Sequence, residues 1–323
     1  MNLKRKAKSM NLKRLGIVIL SLIGFLYAIW GYANGRYIRY YYPQFFVDNI
    51  LLSSYSEIFV ILIFGVWRIS VEKNNYTRAR LVTLVIFIAT IFGMFPILLR
   101  TAEPFIGYLS FQPWFPAVHV PGAMMFFVWL ALIFLFGRRI DCGWCCPCVA
   151  IRDTVGAPFR KNTLKGKTIW KLRHLKWFFV ASLVIYCILL FFPLAYFSYS
   201  FYKWFWIVIP LMYFASFLLI PLTGNRNYCR WLCPFGSLYG LLNKIGFYKI
   251  VADRDKCTDC KKCERECDMG IPIMTLVREQ GEINVADCMG CGRCVTECPE
   301  NVLQFRDVRT KIREKLNIFR RDT

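Results

Sequence analysis

Six apolar runs of close to bilayer length punctuate the first 222 residues, at 15–33, 50–67, 81–99, 122–137, 177–196 and 204–222. A helix needs about 20 mostly apolar residues to cross the hydrocarbon layer. The run at 50–67 is interrupted by Glu57, and the run at 122–137 is short but unbroken. Only 19% of the chain is charged and 57% is hydrophobic, against about 25% and about 45–50% in soluble domains. A purely cytosolic enzyme and a disordered chain are therefore disfavoured. The net charge of +22 would suit a nucleic-acid binder, but the apolar content does not, and no nucleic-acid partner is expected. The expected architecture is an α-helical polytopic membrane bundle of about six helices. Its surface partner is membrane lipid.

The distribution of cations orients the bundle. Twenty Lys and Arg fall in 1–14, 68–80 and 138–176, and four fall at Arg36, Arg39, Arg100 and Lys203. Cationic loops stay on the cytoplasmic side. Both termini are thus expected in the cytoplasm of a bacterial cell, with the chain threading its inner membrane. No small-residue cleavage site follows the first apolar run, so that run is expected to be retained as a helix. Four segments result: a basic N-terminus at 1–14, a membrane domain at 15–248, a polar cysteine-rich domain at 249–306 and a basic tail at 307–323.

The domain at 249–306 carries two cysteine runs. The first is Cys257, Cys260, Cys263 and Cys267; the second is Cys288, Cys291, Cys294 and Cys298 followed by Pro299. Two residues between thiolates let a tight loop place three sulfurs around one cubane, and the fourth cysteine of each run serves the other cluster. One [4Fe–4S] cluster would take Cys257, Cys260, Cys263 and Cys298. The other would take Cys288, Cys291, Cys294 and Cys267. A small α+β fold of the bacterial 2[4Fe–4S] ferredoxin type is expected. Zinc fits worse, because its knuckles are usually well separated. Disulfides are disfavoured in a reducing cytoplasm. Gly290 and Gly292 give the second loop room to wrap. Asp268 stands where a proline usually follows the fourth cysteine, a departure expected to alter the turn.

A second cysteine pattern repeats within the membrane domain. Cys142, Trp144, Cys146 and Pro147 are matched by Cys229, Trp231, Cys233 and Pro234, each 87 residues on. Both read C-x-W-x-C-P, and both follow a helical hairpin. An internal duplication is expected, with a two-fold axis along the membrane normal bringing the motifs together. Three roles are open for these four cysteines: ligands of a third metal centre, redox thiols, or a soft site for a passing ion such as Cu(I). A helix end with cysteine as a small buried apolar residue is the structural alternative. Cys145 and Cys148 lie close enough to be alternative ligands. The chain has only two histidines, which argues against bis-histidine haem.

On these motifs the chain resembles the NapH/NosR/YccM-type membrane polyferredoxins, which include the RdxA/CcoG/FixG branch. The resemblance covers the helices from about residue 81, both C-x-W-x-C-P motifs and the tandem ferredoxin motif, in that order. It departs from individual branches: no flavin-binding domain is expected before the first helix, no immunoglobulin-like domain after the last, and six helices exceed the four of NapH. The resemblance implies a quinol dehydrogenase or electron-transfer subunit, passing electrons between the quinol pool and a partner redox protein or reductase. Buried or loop-borne titratable groups are candidate quinol residues: Glu57 within the second run, and Glu103 and His119 in an outer loop. His174, among cations at the inner interface, reads as a surface residue. Two other functions compete, a factor reducing Cu(II) to Cu(I) at the motif cysteines and a redox-sensing regulatory subunit.

Overall fold

A computed structural model of the chain describes residues 12–41, 55–94, 128, 131–191, 195–244 and 246–306. Helices α1 (Leu12–Tyr41), α2 (Ser56–Val71) and α3 (Asn75–Phe87) pack side by side. The side chain of Asn74 caps α3 by accepting from the Thr77 amide at 3.1 Å, the usual role of asparagine at a helix start. The helix runs on in wider π geometry through Ile88–Met94. The run at 81–99 therefore begins inside a helix that starts earlier, and its end lies outside the described residues. So does most of the run at 122–137, of which residues 131–136 are helical.

The chain continues in shorter and longer helices. A π turn (Arg139–Gly143) leads into α4 (Pro147–Thr154), and a short connection carries α5 (Lys167–Lys171) to α6 (Leu175–Phe191) and α7 (Ala195–Thr223). Then come α8 (Asn227–Trp231) and α9 (Pro234–Leu241). By length and composition, Lys13–Gly31 and Asn75–Met94 are the two stretches among the described residues that suffice to cross a membrane. The outer faces of the helices are apolar: Ile63, Leu211 and Leu222 are 69%, 65% and 71% exposed. Such a face needs an apolar covering.

The cysteine-rich region begins at β1 (Lys249–Ala252), the centre of an antiparallel sheet ordered β2–β1–β3 with β2 (Glu282–Ile283) and β3 (Leu303–Arg306). Ile250 stands opposite both Ile283 and Phe305. Between the strands lie α10 (Lys262–Glu266), α11 (Ile273–Gln280) and α12 (Arg293–Thr296). Ile273, Met274, Leu276 and Val277 of α11 are buried, the i, i+1, i+3, i+4 spacing of one helix face.

Candidate functional site

The eight cysteines of the sheet domain line two cavities. Cys257, Cys260, Cys263 and Cys298 line one, with Met274 and Val277 in its wall and about 380 Å³ of space between atoms. Cys267, Cys288, Cys291 and Cys294 line the other, about 340 Å³, walled by Ile250 and Ile283. Each run thus lends its fourth thiol to the other cavity. Lys261 at φ +55° and Gly292 at φ +78° cap the two short helices that carry Cys263 and Cys294. Four sulfur donors per cavity, apolar walls and no carboxylate in the lining of the second cavity fit an iron–sulfur group. Among the described residues no three His, Cys, Asp or Glu stand close enough together to hold a single metal ion.

The two C-x-W-x-C-P motifs fold alike. The amides of Cys145 and Cys146 both donate to the Asp141 carbonyl, at 3.0 and 2.9 Å. Leu232 and Cys233 both donate to the Tyr228 carbonyl, at 2.9 Å. Cys146 and Cys233 sit at the N-caps of α4 and α9 with near-equal backbone angles, and a proline occupies the first helical turn of each. Proline suits that position because its missing N–H is one the helix leaves unpaired. The Sγ of Cys233 accepts from the Gly236 amide at 3.3 Å. Cys142 and Cys229 are buried, with Cys146, Cys148 and Cys233 packed against the same core. Burial pushes the Cys142 thiol well up, with Arg138 opposing. Burial, then Cys229, pushes Cys233 up to about 12. Burial, then Asp141, does the same for Cys145, also to about 12. A bonded Cys148 and burial raise Cys146.

Arg138 joins both motifs to the sheet domain. It is 1% exposed. Its Nε donates to Cys142 Sγ at 3.3 Å, one terminal nitrogen donates to the Cys229 carbonyl at 3.1 Å, and the other to the Ala286 carbonyl at 3.3 Å. Around it the two bodies meet backbone to backbone. A Cβ on Gly143 would lie 3.0 Å from the Met289 carbonyl, and one on Gly240 would collide with the Ala286 carbonyl. Both contacts touch the loop that carries Cys288 and Cys291.

The basic segment at 138–176 supplies most of the remaining docking contacts. Arg160 bonds Asp268 at 2.6 Å and also pairs with Glu266. Lys165 donates to the Glu264 carbonyl at 2.8 Å, and Arg173 and Lys176 both pair with Asp287. Arg139 lies over the Tyr248 ring at 3.8 Å and donates to the Tyr76 hydroxyl at 2.9 Å, a cation–π contact that bridges α3 and the sheet domain. Asp268, the residue replacing proline, is therefore an anchor.

A family model described as "4Fe-4S dicluster domain" matches residues 249–299. A second, "4Fe-4S binding domain", matches twice, at 118–165 and 204–250, once over each motif copy. The chain is 30% identical over 204 residues to the "Putative electron transport protein YccM" of Escherichia coli K12, across 57% of this chain and 55% of that protein, so it spans little more than half of that relative. It is 28% identical over 261 residues to "Ferredoxin-type protein NapH" of Haemophilus influenzae, across 75% of this chain and 82% of that protein. It is 30% identical over 204 residues to "Ferredoxin-type protein NapH" of E. coli K12, across 57% of this chain and 67% of that protein. This chain belongs to the NapH/NosR-type polyferredoxin family. No solved structure matches it.

In this polyferredoxin the quinol candidates fall unequally. Glu57 lies in the first turn of α2, and its Oε1 accepts from the Tyr213 hydroxyl of α7 at 2.5 Å. Tyr213 stacks edge-on against Tyr228 of the second motif at 5.3 Å, so Glu57 is linked through two rings to the thiol region. Glu103 and His119 lie outside the described residues. His174 is exposed. Sequence reasoning passed over Tyr213 and Asp153 and took Arg138 only as a topogenic cation. Arg80 and Arg152 stood out only as topogenic cations. Both are fully buried: Arg80 pairs with Asp153 at 2.6 Å, and Arg152 bonds Asn227 at 2.7 Å and Ser216 at 2.5 Å. The signal was the coincidence of these cations with the motif flanks, Arg138 standing four residues before Cys142.

Proposed function

We propose that this polyferredoxin is a bacterial inner-membrane electron-transfer protein, oxidising quinol and passing electrons to a partner redox protein. The supporting observation is the pair of cavities, each lined by four cysteines drawn from both runs. Cys257, Cys260, Cys263 and Cys298 would hold one [4Fe–4S] cluster, and Cys267, Cys288, Cys291 and Cys294 the other. When bound, each cluster supplies a reversible one-electron couple.

The residues of the chain set the conditions for that chemistry. Ile250, Ile283, Met274 and Val277 give the cavity walls apolar surface. Arg160, Arg173 and Lys176 fix the sheet domain to the helices, so that the second cavity faces the motif region. Glu57 Oε1, already accepting from Tyr213, is the proton acceptor we assign to quinol oxidation. The membrane assignment extends the two apolar stretches to six spans, with the sheet domain and both termini on the cytoplasmic face. The cation distribution and the apolar outer surfaces support it.

Anaerobic EPR of the purified protein, before and after a menaquinol analogue is added, tests this reading. Reduction of the clusters is expected. If quinol fails to reduce them and the matching quinone fails to reoxidise the dithionite-reduced protein, quinol oxidation is excluded and metal-ion reduction becomes the leading function.

A further inference from the structure

The two ferredoxin cavities carry like sets of four thiols in unlike charge surroundings. The first reaches water: Cys260 is exposed, and Glu300 stands in the lining. Among the described residues no cation lines it. Exposed cations close by are matched, Arg278 with Asp259 and Lys262 with Glu297. The second cavity lies against the helices, where Met289 of its lining meets Gly143. Cys267 and Cys294 are buried there, and Arg293 stands in the lining.

Cations outnumber carboxylates around the second cavity. Arg293 is 6% exposed, and its Nε lies 3.4 Å from Asp268 Oδ2. That carboxylate already bonds Arg160 at 2.6 Å. Asp287 is likewise shared, between Arg173 and Lys176. Arg230 forms an ion pair with neither. It is 3% exposed, and one of its terminal nitrogens is buried without a hydrogen-bond partner among the described residues. Its guanidinium presses so closely on Gly270, in the turn after Cys267, that a Cβ there would collide with it. A buried cation is costly unless negative charge answers it. Thiolates holding a metal group supply that charge, because binding releases the thiol protons.

We propose that Arg230 and Arg293 hold the group bound in the second cavity at a higher reduction potential than the group in the first, so that the first electron to enter the sheet domain rests beside the helices. The proposal rests on the iron–sulfur reading given above and goes beyond it by giving the two sites unequal roles. One-electron reduction adds a negative charge, and a nearby cation favours the form that carries it. Burial acts the other way, since water stabilises added charge. At the first cavity, water and salt screen the exposed charges. At the second, the low dielectric of the interior strengthens the pull of the cations. Two guanidinium groups there answer one added charge, so the cations and not burial decide the order. Neither arginine is a ligand; each acts through the field it sets.

The test is a redox titration of the full chain, purified anaerobically in detergent, with EPR read at each potential and iron and acid-labile sulfide counted per chain. Two midpoint potentials are expected, the higher belonging to the signal that Cys267→Ser removes. Arg230→Met and Arg293→Met should each move that potential down, leave the other in place and leave the iron count unchanged. Arg230→Lys and Arg293→Lys should restore it. Asp268→Asn, which takes the carboxylate from Arg293, should move it up. Loosening of the domain does not imitate the methionine result, because admitted water favours the reduced form and moves the potential up. Should the methionine variants fail to accumulate, the order of the two potentials in the unaltered protein decides. A second-cavity signal at or below the first overturns the proposal. So does a methionine variant whose second-cavity potential stays put, or one in which both potentials fall together. Each of these results leaves the electron-transfer reading standing. Absence of iron and sulfide from the unaltered protein takes down that reading, and the proposal with it.

Discussion

Arg160 and Asp268 are 108 positions apart and meet at 2.6 Å, Nε to Oδ1, across the boundary between the helices and the sheet domain. The contact is only partly shielded, with Arg160 19% and Asp268 6% exposed at the side chain. Hydrogen bonds to charged partners of this kind contribute about 1.5–3 kcal/mol. Asp268→Asn should lower the melting temperature and speed protease release of the sheet domain. Arg160→Ala should do the same, and the double variant should be little worse than either single one, as expected for a shared contact. Full additivity in thermal unfolding would show that the two residues act separately.

Asp153 is the centre of a buried triad. It binds Arg80 at 2.6 Å and Arg226 at 2.5 Å, all three almost wholly shielded. Burial pushes its carboxyl up, but Arg226 and Arg80 outweigh that and hold it well below the usual carboxylate range. Removing one member of such a group costs about 3–5 kcal/mol. Asp153→Asn should be destabilised by that order in chemical unfolding at neutral pH. The folded-state value is depressed, so the stabilisation is complete above the unfolded value and is lost as pH falls through the folded one. The gap between parent and variant should hold from about pH 7 to about pH 5 and close only in stronger acid. A gap that closes near neutrality would contradict the assignment.

Two glycines at the interface should differ in tolerance. A Cβ at Gly240 collides with the Ala286 carbonyl, while one at Gly143 is merely tight against the Met289 carbonyl. Overpacking of this kind costs about 1–3 kcal/mol. Gly240→Ala should therefore perturb the second cavity's EPR signal and loosen the sheet domain more than Gly143→Ala does. Equal effects would mean that the backbones shift freely.

Crossed sharing of cysteines makes a selective forecast. Cys298→Ser should remove the cluster otherwise held by Cys257, Cys260 and Cys263, and Cys267→Ser the one held with Cys288, Cys291 and Cys294. Each variant should lose about four irons but a different EPR component. Loss of the same component from both variants would refute the crossed sets.

Glu57→Gln and Tyr213→Phe both weaken the 2.5 Å contact. We expect quinol-driven cluster reduction to slow by about tenfold or more in Glu57→Gln, in the range typical of lost proton transfer, with cluster content and melting temperature little changed. Unaltered rates would remove Glu57 from the quinol site.

Much of this arrangement was legible from spacing alone. Thiols two residues apart lie on one small loop, and the first three cysteines of each run do line one cavity; the exchanged fourth cysteine was read from the bacterial ferredoxin pattern. The 87-residue repeat set Cys146 and Cys233 in equivalent places in the two motifs, and their backbone angles agree. Long-range electrostatics were not legible. A cation in a loop reads the same whether it faces water or lies buried, so Arg80, Arg138 and Arg152 passed as topogenic charges. Asp268 looked like a lost turn proline because its partner, Arg160, is distant in sequence. Tyr213 was hidden within an apolar run, where one hydroxyl does not disturb the pattern.

The exchange of fourth cysteines between the two runs also orders events during synthesis. The set around Cys288 is incomplete until Cys294 has been made, and the set around Cys257 until Cys298 has been made. By then every described helix through Leu241 has already left the ribosome. Iron loading of the sheet domain is thus tied to a late stage of biogenesis, and a nascent chain interrupted before Cys294 carries no complete ferredoxin site with which to capture metal.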